Sequence, residues 1–89
     1  MDAKEAKRWL KQRHYPTTII SDRYNGTYSR GAWLAFPLRY DEIPEEVSGE
    51  DMECQLFWDN YKEPVGKGLD FDSALYDLEF QMEDIAKGK

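Results

Sequence analysis

Residues 19–40, IISDRYNGTYSRGAWLAFPLRY, restrict the folds open to this chain more than any other stretch. The β-branched run Thr17, Thr18, Ile19, Ile20 predicts a strand over residues 17–22, because branching at Cβ packs well on a pleated surface. The pair Asn25-Gly26, within Tyr24-Asn25-Gly26-Thr27, tolerates positive φ and predicts a turn. Residues 32–40 then return as a second strand. Alternation puts Leu34, Phe36 and Leu38 on one face, and Trp33 and Ala35 on the other. Both faces are largely apolar, so this strand is expected to be central, with a helix covering at least one side. Pro37 has no N–H to give to a ladder, and regular pairing should weaken there.

The cover comes from the C-terminal segment. Phe71, Ala74, Leu75, Leu78, Met82 and Ile85 recur at helical spacing and form one stripe. Asp70 is a good N-cap, Asp72 suits the positive end of the helix dipole, and Lys87 and Gly88 suit its end. A helix over residues 70–87 follows. At the other terminus Ala3, Ala6, Trp9 and Leu10 share a face, while Lys4, Lys7, Arg8 and Lys11 occupy the rest. Residues 1–14 therefore read either as a short helix docking Trp9 and Leu10, or as a basic arm for phosphate or an acidic partner. Tyr15-Pro16 ends this element. Between the two lies residues 52–60, where Met52, Cys54, Leu56 and Trp58 alternate with Glu53, Gln55, Phe57 and Asp59. That alternation predicts a third, half-buried strand. Val65 reads as a short fourth strand or a bulged continuation, and Gly66-Lys67-Gly68 as a turn needing positive φ. The expected architecture is α+β. It comprises a three- or four-stranded, mainly antiparallel sheet over residues 17–65, a C-terminal helix packed on one face and a short N-terminal helix, all in one domain of 89 residues.

Composition narrows the classes of function. The single cysteine, Cys54, excludes a disulfide framework within the chain and suits a reducing, intracellular setting. No apolar run approaches the roughly 20 residues of a membrane span. The N-terminus lacks the apolar core of a signal peptide, so a cytoplasmic protein is expected. Charge is uneven: residues 1–15 carry +3, residues 41–63 carry −8, and the whole chain carries −6. An acidic chain disfavours direct nucleic-acid binding and favours a basic partner, including a protein that itself grips DNA.

Catalytic patterns are weak. His14 stands beside Tyr15-Pro16, and Cys54 falls where a small apolar residue fits, so neither marks a nucleophile and no catalytic residue is assigned. Two soft ligands do not make a zinc site, and neither metal nor cofactor is expected. Gly66-Lys67-Gly68 before a helix lacks the remaining residues of a phosphate-binding loop. It resembles the strand, Gly-x-Gly, capped-helix junction of HicB-type antitoxins, which implies a helix folded back across the sheet.

Two candidate sites remain. One is acidic: Asp41, Glu42, Glu45, Glu46, Glu50 and Asp51, with Asp77, Glu83 and Asp84 from the C-terminal helix. The other is the hairpin group Arg23, Tyr24, Asn25, Tyr28, Arg30 and Trp33. Arginines beside aromatic faces can hold a phosphate-bearing or planar ligand, or form the anchors of a protein interface. They can equally belong to a surface hairpin whose tyrosines cover the sheet.

Tyr24-Asn25-Gly26, then Gly31-Ala32-Trp33, then Asp41-Glu42-Ile43 with Glu45-Glu46-Val47, resembles the N-terminal module of ArdA-type antirestriction proteins. The chain is also similar to small phage-encoded proteins with a Ser-Asp-Arg-Tyr…Gly-x-Trp-Leu-Ala-Phe core and a Phe-Trp pair. Here these are Ser21 to Tyr24, Gly31 to Phe36 and Phe57-Trp58. The likeness covers about a third of the chain. This chain is shorter and less acidic than the ArdA type, and Arg23 and Arg30 have no place in a DNA mimic. The resemblance implies a non-enzymatic phage or mobile-element protein that inhibits a host defence system as an acidic DNA mimic. Its partner would be a defence protein with a basic surface. A homodimer is compatible with this, and no membrane partner is expected. The alternative is a small-molecule binding module that sequesters a nucleotide-like signalling ligand at the hairpin group.

Overall fold

Asp2 opens the first helix. Its carboxylate accepts from Glu5 N at 2.8 Å, and Glu5 Oε1 accepts from Asp2 N at 3.3 Å. This capping box satisfies two donors that would otherwise lack partners at the helix start. The computed structural model describes residues 1–88, and in it α1 spans Ala3–Lys11 with Ala6 and Trp9 buried. Arg13 and His14 then take left-handed backbone, with φ of 57° and 59°. His14 stacks on Trp9 at 4.4 Å between ring centroids, and Trp9 Nε1 donates to Pro16 O at 2.8 Å.

The strands are β1 (Thr18–Ser21), β2 (Trp33–Phe36) and β3 (Gly66–Gly68). They form a three-stranded antiparallel sheet in the order β1-β2-β3. β2 is central and ends at Phe36, four residues short of the expected limit at Tyr40, because Pro37 has no N–H to continue the ladder. Two 3-10 turns, Tyr40–Glu42 and Glu45–Ser48, lead to α2 (Asp51–Asn60), and α3 runs Phe71–Ala86. Asp70 caps α3 by accepting from Ser73 N at 2.8 Å.

The expected third strand at residues 52–60 is instead the helix α2. Its buried contacts come from Cys54, Phe57 and Trp58, with Tyr61 just beyond, a spacing of three, one and three. Met52 and Leu56, which the alternation placed inside, are 75% and 57% exposed. Glu50, Asp51 and Glu53 crowd the N-terminus, where the helix dipole stabilises them. The expected fourth strand and turn merge into β3. Gly66 and Gly68 are not in left-handed backbone; among described residues the positive-φ glycines are Gly26 and Gly88. They are glycines because α3 lies against them: a Cβ on Gly66 would sit 2.0 Å from Ala74 O, and one on Gly68 2.5 Å from Ala74 N. This is a strand under a helix, not a phosphate-cradling loop.

Both faces of β2 are covered. On one, Ala6, Trp9, Ala35, Ala74, Leu78 and Met82 form a core between the sheet and helices α1 and α3. On the other, Leu34, Phe36, Val47 and Val65 are buried beneath Ile43, Phe57, Trp58 and Tyr61. Burying one such large side chain contributes about 1.5–3 kcal/mol before ordering costs are subtracted. Among described residues, no helix is long and apolar enough to cross a membrane.

Candidate ligand-binding cleft

The loop joining β1 and β2 is held from inside. Asp22, only 8% exposed, accepts from Gly26 N at 2.5 Å through Oδ2, and its backbone O accepts from Asn25 N at 3.1 Å. Buried Ser29 donates from Oγ to Gly31 O at 3.1 Å. Asn25 and Gly26 have φ of 53° and 93°, as the Asn-Gly pair suggested, and Arg30 also has positive φ at 71°. For a side chain such as arginine this backbone costs on the order of 1 kcal/mol, and the surrounding loop fixes it.

The hairpin group divides into three. Arg23 and Tyr24 are fasteners: Arg23 Nη1 donates to Ser48 O at 2.8 Å, and Tyr24 OH donates to Gly49 O at 2.8 Å. Trp33 turns to the α1/α3 face and meets Phe71 edge-on at 6.2 Å. Asn25 is exposed at the tip. Only Tyr28 and Arg30 line the cleft beside the loop. They do so with Thr27, Ser29, Gln55, Trp58, Asp59 and Lys67, around about 410 Å³.

Lys67 and Trp58 complete this cleft, and neither was a candidate site residue in the sequence. β3 pairs Lys67 with Leu34 on β2, which puts both side chains on the α2 side of the sheet. Lys67 Nζ lies 5.1 Å from the centroid of the Trp58 ring. Partial burial holds its ammonium below the ordinary lysine pKa; Asp77 opposes this shift and Arg30 adds to it. Among described residues the ion pairs are Met1 with Glu63 and His14 with Glu79, so Arg30 and Lys67 have no carboxylate partner. The indole Nε1 of Trp58 and Oδ1 of Asp22 are buried without hydrogen-bond partners. Had residues 52–60 been read as a helix, Gln55, Trp58 and Asp59 would have fallen on one face at spacings of three and one.

The acidic set is also divided. Asp41, Glu42, Glu45, Glu46, Glu50 and Asp51 are exposed on the two 3-10 turns and the approach to α2. Asp77, Glu83 and Asp84 lie on α3, across the sheet. Asp77 is half-buried and occupied: its Oδ2 accepts from Lys67 N at 2.8 Å and from Gln81 Nε2 at 2.9 Å. The nine acids therefore do not share one face. His14 and Cys54 are likewise apart, on the α1 and α2 sides of the sheet. The Cys54 thiol is buried, directs its proton to Val47 O at 3.6 Å, and has its pKa pushed up by burial and then by Asp22. A neutral, enclosed thiol is a packing group.

No family model matches this chain, and no curated protein or solved structure matches it.

Proposed function

We propose that this protein is a non-enzymatic binding module that takes up a phosphate-bearing, nucleotide-like small molecule and sequesters it. The observation that carries this reading is the pair Arg30 and Lys67. An acidic chain keeps two cations on one cleft, Lys67 over the ring of Trp58 and Arg30 close enough to lower its pKa; Asp59 shares the lining but forms an ion pair with neither among described residues. Two neighbouring cations repel each other, and an anion between them relieves the repulsion. Tyr28 and Trp58 offer aromatic surface for a planar group. Sequestering a signalling nucleotide fits a phage or mobile-element protein acting against a host defence.

The test is a thermal-shift and calorimetric screen with inorganic phosphate, mononucleotides and dinucleotides. A ligand that binds only the folded state raises the melting temperature. Arg30→Ala and Lys67→Met should each weaken binding by about tenfold or more, since a charge-assisted hydrogen bond is worth roughly 1.5–3 kcal/mol. If no nucleotide shifts the melting temperature, this reading fails.

A second reading rests on a different observation. Six acids between Asp41 and Asp51 face solvent with no cation partner among described residues. They support an inhibitor that presents phosphate-like charge to a basic host defence protein, as the ArdA resemblance implies. Its affinity should fall steeply with salt. Salt-independent binding to a purified defence complex would remove it.

A further inference from the structure

We infer that the outer edge of β1 is a docking slot for an extended, basic peptide segment of a partner protein, which would add a strand to the sheet. Asp22 N donates to Ala32 O at 2.8 Å, and the register places these residues directly opposite each other. Hydrogen-bonded and non-bonded pairs alternate along an antiparallel ladder. Thr18 and Ile20 therefore direct their N–H and C=O groups at β2, while Ile19 and Ser21 direct theirs outward. No hydrogen bond within the protein involves these outward groups among described residues. Residues 17–21 also carry none of the usual guards of an edge, having no lysine, charge or internal proline. The opposite edge, β3, is short and carries Lys67.

The space outside β1 is shaped for such a segment. A groove of about 640 Å³ runs beside Ile19, Ile20 and Ser21, and its far wall includes Tyr40, Ile43 and Pro44. Tyr40 is 77% exposed, an aromatic surface with nothing packed over it. Strand addition takes affinity from the main chain and specificity from the flanking side chains. Here the flanking charges are Asp41 and Glu45, both lining the groove and both without a cation partner among described residues. They select lysine or arginine in the incoming strand. A second copy of this chain fits less well, because its β1 offers no cation and its net charge is −6. The slot runs along β1 and the Arg30–Lys67 cleft along β3, the opposite edge, with no shared lining residue, so the two stand or fall separately.

The probe is a short capped peptide alternating valine and arginine, with a valine–glutamate peptide as its counterpart. Amide hydrogen exchange followed by NMR should show Ile19 and Ser21 slowed by the arginine peptide. Thr18 and Ile20, already bonded to β2, should be unchanged. Asp41→Asn and Glu45→Gln, both at exposed positions, should each weaken binding roughly twofold to fivefold, the scale of an exposed ion pair. Ser21→Pro should abolish it by removing an outward donor. The inference is overturned if the arginine peptide leaves Ile19 and Ser21 unslowed at millimolar concentration, or if the glutamate peptide binds equally. It is also overturned if raising the protein concentration alone protects these amides, since a second copy would then fill the edge.

Discussion

The two faces of the sheet are built on different principles. Against α1 and α3 the contact is made by small residues: Ala6, Ala35 and Ala74, with Gly66 and Gly68 in the strand beneath. Backbones approach closely there, and among described residues no buried side-chain polar atom at this contact lacks a partner; Asp77 accepts from Lys67 N and from Gln81 Nε2. Against α2 the contact is made by Phe36, Phe57, Trp58 and Tyr61, whose rings meet at 4.7 to 6.4 Å. That face also holds the buried Trp58 N–H and Asp22 Oδ1, both unsatisfied. An unsatisfied buried group costs about 1–3 kcal/mol, so the α2 face gives up stability that the α3 face does not. The α3 face serves as the scaffold, and the α2 face carries the proposed cleft.

The comparison breaks most visibly at Gly66. Gly66→Ala would place a methyl 2.0 Å from Ala74 O, where backbone must move. It should destabilise the fold by about 3 kcal/mol, seen as a lower urea midpoint. Trp58→Ala comes next, with a loss of about 2–3 kcal/mol and of the surface under Lys67. Trp58→Phe sharpens the point: it keeps an aromatic ring in place, loses only the second ring of the indole and removes the unpaired donor, so its melting temperature should fall far less. A midpoint loss equal to that of the alanine variant would mean that the indole N–H is not a burden.

Smaller effects follow from the charges. Lys67 has its pKa lowered in the folded state, so unfolded chains bind more protons there and stability rises with pH as this lysine titrates. Lys67→Met should therefore raise the melting temperature near neutral pH. The advantage should shrink as pH approaches the ordinary lysine value of 10.5, and paired melts across that range would show it. Asp70 has its pKa lowered by its bonds to Ser73, so its stabilising effect is present above the ordinary 3.8 and is lost as pH falls through the folded value. Asp70→Ala should lower the melting temperature slightly at neutral pH and not at pH 2, on the scaffold face alone.

The α3 side was easier to read from sequence than the side of the proposed cleft, for the same reason. The α3 stripe of Ala74, Leu78 and Met82 has only one period, and Asp70 caps it, so residues 70–87 closely anticipated Phe71–Ala86. The β-branched run and the apolar faces of Trp33–Phe36 located β1 and β2, and the cover on both faces of β2 followed. Residues 52–60 carry two periods at once. Met52, Cys54, Leu56 and Trp58 repeat at two, while Cys54, Phe57, Trp58 and Tyr61 repeat as a helix; the acidic start and the packing against Phe36 decide for the helix. Tyr28 and Arg30 were visible as candidates. Lys67 and Trp58 were not, because only strand register and the position of α2 bring three distant segments to one cleft.

The Gly-Lys-Gly strand has one more consequence. Because α3 lies on both flanking positions, Lys67 is the only non-glycine side chain that β3 can present. Its packing duties are carried by main chain, so the lysine can change identity without the strand losing its place. The position is a single tunable socket: on the proposed reading, replacing one cation there would recast what the cleft takes up while leaving the helix above it untouched.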